Sequence, residues 1–343
     1  MTAAPSSRTV GTDRLDLHIR EAGEGDPVVF VHGNLSDCAV WDEQIGLLPA
    51  GYRGIAVDLR GFGRSDAAPI DATRGTGDFR DDVVGLIDAL GLESVHLVGH
   101  SMGGGVVMDL ATTHPGRVRT ITLVAPVSPY GFGGTKLDGS PCTPDFAGSG
   151  GGTANPDLVR LIADRDETDK EPLSPRNVVR TLYFPGPETV REEDLLLAGI
   201  LATHVGDDNY PGDATTSPHW PGVAPGTRGV LNTMTPKYFG WSDLPGSGCR
   251  APVLWVHGDL DVIVSDTALV DLGHLGAIGA VPGWPGEEAF PAQPMKRQTR
   301  DVLDRYGDYT EHMMPGVGHF PYTQRPDEFA ALLHAHLSRT PAV

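Results

Sequence analysis

The chain predicts an α/β fold in which a mostly parallel central sheet carries helices on both faces. Three observations lead there. Short apolar β runs alternate with helical patterns across residues 8–127 and resume at 251. The pentapeptide Gly99-His100-Ser101-Met102-Gly103 joins an apolar β run to a small-residue helical pattern. Such a strand-to-helix turn lifts a serine hydroxyl clear of the sheet on a strained backbone. Finally, the acidic and basic candidates that a serine would need follow β runs, on the edge where open α/β sheets bind ligands.

The elements follow in order. Arg8–Val10 and Leu15–Arg20 read as a hairpin around Gly11-Thr12-Asp13, and Val28–Val31 and Gly54–Val57 as buried strands. A helix is expected from near Ser36 to before Gly51. Phe79–Leu90 reads as helix because Val83, Val84, Ile87 and Leu90 share one face and Gly91 stops it. Ser94–Val98 is a strand, followed by a helix from the serine turn to about Thr113 and a strand at Thr120–Val124. Later come a strand at Val253–Val256, a helix at Arg297–Tyr306, a strand at Tyr309–Met313 and a closing helix at Pro326–Leu337.

This pattern divides the chain into a first core part (1–127), an inserted lid (128–250) and a second core part (251–343). The lid opens on a glycine-rich stretch that reads as a loop and a candidate hinge. Helical patterns follow at about 156–165, 175–184 and 188–203, then an irregular stretch at 206–227. A second irregular insertion, rich in Gly and Pro, is expected at 272–294.

A formal net charge of −19 argues against nucleic acid or an anionic membrane as partner. No apolar run is long enough for a transmembrane helix. The opening Met1–Arg8 lacks the charged-then-apolar layout of a leader, so a cytoplasmic location is expected. Cys38, Cys142 and Cys249 form neither a disulfide framework nor a metal spacing, although Cys142 and Cys249 could pair across the middle segment. No metal or cofactor motif is present: H-E-x-x-H and phosphate-cradling P-loop patterns are missing from the sequence.

A serine becomes a useful nucleophile only with a base, and the base needs an acid to hold its tautomer. Both are offered in the order Ser…Asp…His. The acid lies in Gly258-Asp259-Leu260-Asp261 and the base in Gly316-Val317-Gly318-His319-Phe320. Together with Val31-His32-Gly33-Asn34, Trp41 and Asp58-Leu59-Arg60-Gly61-Phe62-Gly63-Arg64-Ser65, these segments resemble the α/β-hydrolase fold superfamily over roughly 10–127 and 250–340. The resemblance implies Ser101 as nucleophile, Asp261 as acid and His319 as base, because the family places its acid three residues after the glycine. Asp259 is then a turn carboxylate. It also implies an oxyanion hole made by the backbone N–H groups of Asn34 and Met102, each donor of this kind contributing about 3 kcal/mol. The Asn34 side chain either touches substrate or caps its turn.

The implied activity is hydrolysis of a small carboxylic ester or lactone through an acyl-enzyme, without cofactor. Cofactor-free haloperoxidase or perhydrolase chemistry and C–C bond hydrolysis use the same triad, and a receptor-like ligand binder is a further alternative. Epoxide hydrolases and haloalkane dehalogenases share the His32-Gly33-Asn34 pattern but use an aspartate where this chain has Ser101. Phe132, Tyr183 and Trp220 are the expected substrate contacts from the lid. His32 is expected to order the oxyanion loop, and His100 and His257 to be core residues.

Overall fold

The computed structural model describes residues 4–339. Met1–Ala3, part of the opening read for a leader, lies outside the described residues. Eight strands form one sheet: β1 (Ser6–Gly11), β2 (Asp16–Gly23), β3 (Gly25–Val31), β4 (Gly51–Val57), β5 (Val95–His100), β6 (Val118–Val124), β7 (Val253–Gly258) and β8 (Tyr309–Met314). Their spatial order is β1-β2-β4-β3-β5-β6-β7-β8. β2 runs antiparallel to β1 and β4, and every pair from β4 to β8 is parallel. Parallel strands are covered on both faces, which is why Val28-Val29-Phe30-Val31 is apolar without alternation and fully buried.

The helices are α1 (Asp42–Leu47), α2 (Gly77–Ala89), α3 (Met102–Thr113), α4 (Pro156–Ala163), α5 (Pro175–Val178), α6 (Glu193–Leu201), α7 (Leu272–Ala277), α8 (Met295–Tyr306), α9 (Pro321–Gln324) and α10 (Pro326–Leu337). α1 packs against α10, while α3 lies on β3, β5 and β6 and packs against α2. No helix among the described residues is long and apolar enough to cross a membrane.

Three differences from the sequence expectation have local causes. The helix expected from Ser36 is a 3₁₀ turn at Cys38–Trp41, capped by Asp37, and then the short α1. Pro49 ends it by forcing Leu48 into extended backbone (ψ 140°). The stretch at 272–294 contains α7, because the Asp271 carboxylate accepts the His274 N–H (3.0 Å) as an N-cap. The stretch at 206–227 forms two small ribbons, Val205–Gly206 with Tyr210–Pro211 and Ala214–Thr216 with Val223–Pro225.

Residues 128–250 lie between β6 and β7. Their exit is tied to their entry by the fully buried Trp241, whose indole N–H donates to the Val127 carbonyl (3.1 Å). The glycine-rich entry is packed down rather than loose. Buried Gln293 accepts the Gly133 N–H (2.7 Å) and donates to the Gly131 carbonyl (2.9 Å), and buried Gln298 reaches Ser128 and the Lys136 carbonyl. Gly131 and Gly133 have positive φ (79° and 91°), and a Cβ on Gly131 would stand 2.7 Å from the Met234 carbonyl. Glycine serves close approach here. Cys38, Cys142 and Cys249 are all free thiols.

Candidate active site

Ser101 sits between β5 and α3 with φ 53° and ψ −118°, a conformation costly for any residue with a Cβ. Three close approaches make the turn possible. A Cβ on Gly99 would lie 2.5 Å from the Gly103 carbonyl, and one on Gly103 would lie 2.4 Å from the His32 carbonyl. A Cβ on Gly33 would lie 3.0 Å from that of Ser101, so the loop after β3 rests directly on the serine turn. Ser101 is half-buried, and its hydroxyl makes no protein hydrogen bond among the described residues.

Asp261 and His319 come together although 58 positions separate them. His319 Nδ1 donates to Asp261 Oδ2 (2.9 Å), which leaves Nε2 as the bare, basic nitrogen. The other carboxylate oxygen accepts the N–H groups of Ile263 (2.8 Å) and Val264 (3.0 Å). Burial pushes the Asp261 carboxyl up, but the His319 charge and hydrogen bond, with the Ile263 N–H, outweigh it and hold the group below the usual carboxylate range. Asp259 does something else. Its Oδ1 accepts the N–H of Gly316 (2.7 Å) and thereby caps the loop that carries His319.

The N–H groups of Asn34 and Met102 donate to no protein acceptor among the described residues. Met102 opens α3, where helix N–H groups lack intrahelical partners and the dipole favours negative charge. The Asn34 side-chain oxygen is buried and unpartnered, so it does not cap its turn. His32 accepts the Leu59 N–H at Nε2 (3.0 Å) and donates from Nδ1 to the Gly33 carbonyl (2.7 Å). Burial holds it below the ordinary imidazole value, despite Asp58 nearby, and its two hydrogen bonds order the loop. His100 donates from Nε2 to the His319 carbonyl (2.9 Å), and its ring lies 4.6 Å from that of His319. It is buried and held far below the ordinary imidazole value, first by desolvation and then by His319. His257 is buried and pairs with Glu311 (2.9 Å).

Asp58 is a hub beneath the site. Its carboxylate accepts the N–H groups of Cys38 (2.6 Å) and Arg64 (2.9 Å) and the Nδ1–H of His18 (2.7 Å). Arg60 clamps Asp82 with two bonds (2.5 and 2.6 Å). Through the Asp58–Cys38 and Leu59–His32 bonds the Asp58–Ser65 motif braces the loop after β3. His18, Cys38 and Asp58 are the one group among the described residues whose donor atoms lie close enough to hold a metal, all within 4.8 Å. Asp58 has both oxygens occupied by these hydrogen bonds, so the cluster reads as a closed polar network.

The three expected lid contacts are placed differently from one another. Half-buried Phe132 packs against the small buried cluster of Val264, Ala268 and Met295, which begins three residues after Asp261. Trp220 stacks edge-on against Phe290 (4.8 Å) and donates to the Pro282 carbonyl (2.9 Å), tying the 128–250 segment to the 272–294 stretch. Tyr183 is only 4% exposed and its hydroxyl is taken by the Leu35 carbonyl (3.0 Å), so its side chain belongs to the frame of the site rather than to an open substrate surface. Nothing in the spacing of the sequence signals that contact, because 148 positions separate the two residues.

Residues 26–155 match the family model of the α/β hydrolase fold. The chain is 41% identical over 114 residues to the 2-hydroxy-6-oxo-6-phenylhexa-2,4-dienoate hydrolase of Comamonas testosteroni, covering 32% of this chain and 40% of that protein. The chain thus spans about 40% of the length of the curated relatives it matches. Among solved structures, a bromoperoxidase from Bacillus anthracis superposes with a TM-score of 0.64 at 20% identity, over 97% of this chain and 100% of that one. The esterase EaEST from Exiguobacterium antarcticum superposes with a TM-score of 0.62 at 18% identity, over 97% and 100%. At these identities the likeness is one of fold.

Proposed function

We propose that this chain, which has the α/β-hydrolase fold, is a serine hydrolase that cleaves a carboxylic ester or lactone through an acyl-enzyme on Ser101. The observation that carries the reading is the buried Asp261–His319 couple (2.9 Å) on the same sheet edge as a strained serine flanked by two undirected backbone N–H groups. His319 Nε2 takes the Ser101 proton as Oγ attacks the carbonyl carbon. The oxygen that becomes negative is received by the Asn34 and Met102 N–H groups. Collapse expels the alcohol, which takes the proton from His319. Water, deprotonated by the same nitrogen, then releases the acid and restores the serine. The Ser101–His319 hydrogen bond is one that closes with substrate bound, as such contacts commonly do.

The test is Ser101→Ala on a panel of acyl chain lengths, aryl esters and lactones. Turnover should fall by about 10⁴-fold or more. Ester hydrolysis at the wild-type rate in that variant would end the mechanism. One comparison favours a second reading, carbon–carbon bond hydrolysis: the matched relative from Comamonas testosteroni is named as a hydrolase of 2-hydroxy-6-oxo-6-phenylhexa-2,4-dienoate, a compound with no ester bond to cleave. Turnover of a 2-hydroxy-6-oxo-dienoate in preference to every ester on the panel would select that reading, with the same residues in the same roles.

A further inference from the structure

We propose that Tyr183 is a positioning residue that holds the oxyanion loop and the base loop in register from the inserted segment, an inference that rests on the hydrolase reading above. Tyr183 ends a π-helical turn, Val179–Tyr183, which continues α5. From this one position it makes three contacts with two loops that are remote in sequence.

The first contact is to the oxyanion loop. The phenol O–H donates to the carbonyl of Leu35 (3.0 Å). Leu35 directly follows Asn34 and is itself in the left-handed region, with φ 51°. A leucine rests there at a cost, and only if its neighbours over-determine the conformation. The peptide plane on the carbonyl side of Leu35 is what the phenol fixes. The loop's other anchors lie on either side: the Asp58 bond to the Cys38 N–H and the His32 bond to the Gly33 carbonyl. Leu35 has the phenol as its own anchor.

The other two contacts are to the base loop. The Tyr183 carbonyl accepts the His319 N–H (3.0 Å), and its ring stacks on Phe320 at 4.4 Å with 29° between planes. Gly318 makes this approach possible, because a Cβ there would stand 2.7 Å from the Tyr183 carbonyl. The peptide that carries the base is thus held on one side by Tyr183 and on the other by His100, which donates to the His319 carbonyl (2.9 Å). His100 is part of the core sheet, whereas Tyr183 belongs to the insertion. A shift of the α5 segment away from the core would release Leu35 and His319 together. The segment is therefore coupled to the chemistry without needing to touch the reacting atoms.

Two variants of the full chain separate the contacts. Tyr183→Phe keeps the stack and the backbone bond and leaves the buried Leu35 carbonyl without its donor. It should lower kcat by about 10- to 100-fold with KM changed less than about threefold. Hydrogen exchange should quicken at the amides of 33–38 and stay at the wild-type rate at 316–320. Tyr183→Ala removes the stack as well and should quicken exchange in both loops. A purely structural role would instead lower the melting temperature with no split between kcat and KM and no exchange change confined to 33–38. Wild-type kcat, or wild-type exchange at 33–38, in Tyr183→Phe overturns the inference. The exchange measurement decides it even if the wild-type protein turns over none of the panel, an outcome that would instead refute the hydrolase reading.

Discussion

Gly103→Ala tests how closely the serine turn is built. The new methyl would stand 2.4 Å from the His32 carbonyl oxygen and 2.5 Å from that of Val31, both backbone atoms at the end of β3. An ordinary contact needs a little over 3 Å, so helix and strand must part by about 1 Å. Neither neighbour can rotate away, since β3 is paired on both edges and fully buried at Val28–Val31. Overpacking of this kind costs about 1–3 kcal/mol of stability. The greater effect falls on rate. The displaced strand end carries the Asn34 donor, and the displaced helix start carries Met102. A misplacement of about 1 Å between reacting groups costs on the order of 10²-fold. The assay is kcat on a p-nitrophenyl ester beside the urea unfolding midpoint. Gly46→Ala in α1 is the control, because its methyl meets nothing within 4 Å and should be neutral or stabilise the helix by about 0.5–1 kcal/mol. If Gly103→Ala keeps both the wild-type kcat and the wild-type midpoint, the close approach does not set the geometry and the reasoning fails.

Two aspartates flank Leu260, and exchanging each for asparagine should separate their work. Asp261→Asn should lower kcat by about 10³- to 10⁴-fold, because the imidazole loses the acceptor that fixes its tautomer. Asp259→Asn keeps an oxygen for the Gly316 N–H and should stay within about tenfold; equal losses from both would contradict the assignment. A third prediction concerns pH. Burial, and then the nearby Asp58 charge, push the Asp37 carboxyl up to about 6. The folded state therefore keeps a proton that the unfolded chain releases near pH 4. This contribution to stability is complete below that value and is lost as pH rises through about 6. Asp37→Asn, which still caps the Ala39 N–H, should be more stable than wild type by a margin that grows from pH 4 and levels off above pH 6 at roughly 1–3 kcal/mol. A margin that is the same at pH 4 and pH 7 would show that Asp37 carries no such shift.

What was legible in the sequence was whatever is local. α10 begins and ends where the closing helix was read, because Pro326 occupies its first turn and fixes the start. The serine turn was legible because glycines stand on both sides of one serine between a β run and a helical run. The remainder depends on residues far apart in the chain. No local pattern tells that Gln293 would bond Gly131 and Gly133, and Gln298 the residues on either side at Ser128 and Lys136, so the sequence alone reads those glycines as a hinge. No pattern tells that Asp58 would receive Cys38 and His18 at once, so the motif that contains it read as a family mark without a task. Pro49 is visible in the sequence, and the restriction it puts on Leu48 ends the helix short of the expected limit before Gly51.

These contacts divide the site into two halves with different mechanical origins. Asp261 and His319 lie in the loops that follow neighbouring strands, β7 and β8, whose register places Gly258 opposite Met314. Asp259 caps the loop after β8, and a Cβ on Gly258 would meet the Val317 carbonyl at 2.0 Å, so the two loops are in direct backbone contact. Lys296 donates to the Gly258 carbonyl from α8 (2.7 Å) and closes that half from behind. The Asp261–His319 distance is therefore a property of the sheet. Ser101 and the N–H groups of Asn34 and Met102 form the other half, set by β3 and β5, with β6 lying between it and the first half. Within the core, the His100 contact to the His319 carbonyl joins the two, and it comes from the residue that precedes Ser101. Replacing His100 by a residue without a donor should thus loosen His319 relative to Ser101 while leaving the Asp261–His319 hydrogen bond intact. The physical reason for histidine at this position is that a neutral imidazole can both donate to the base loop and accept from the Tyr322 hydroxyl (3.3 Å) in a space closed to water.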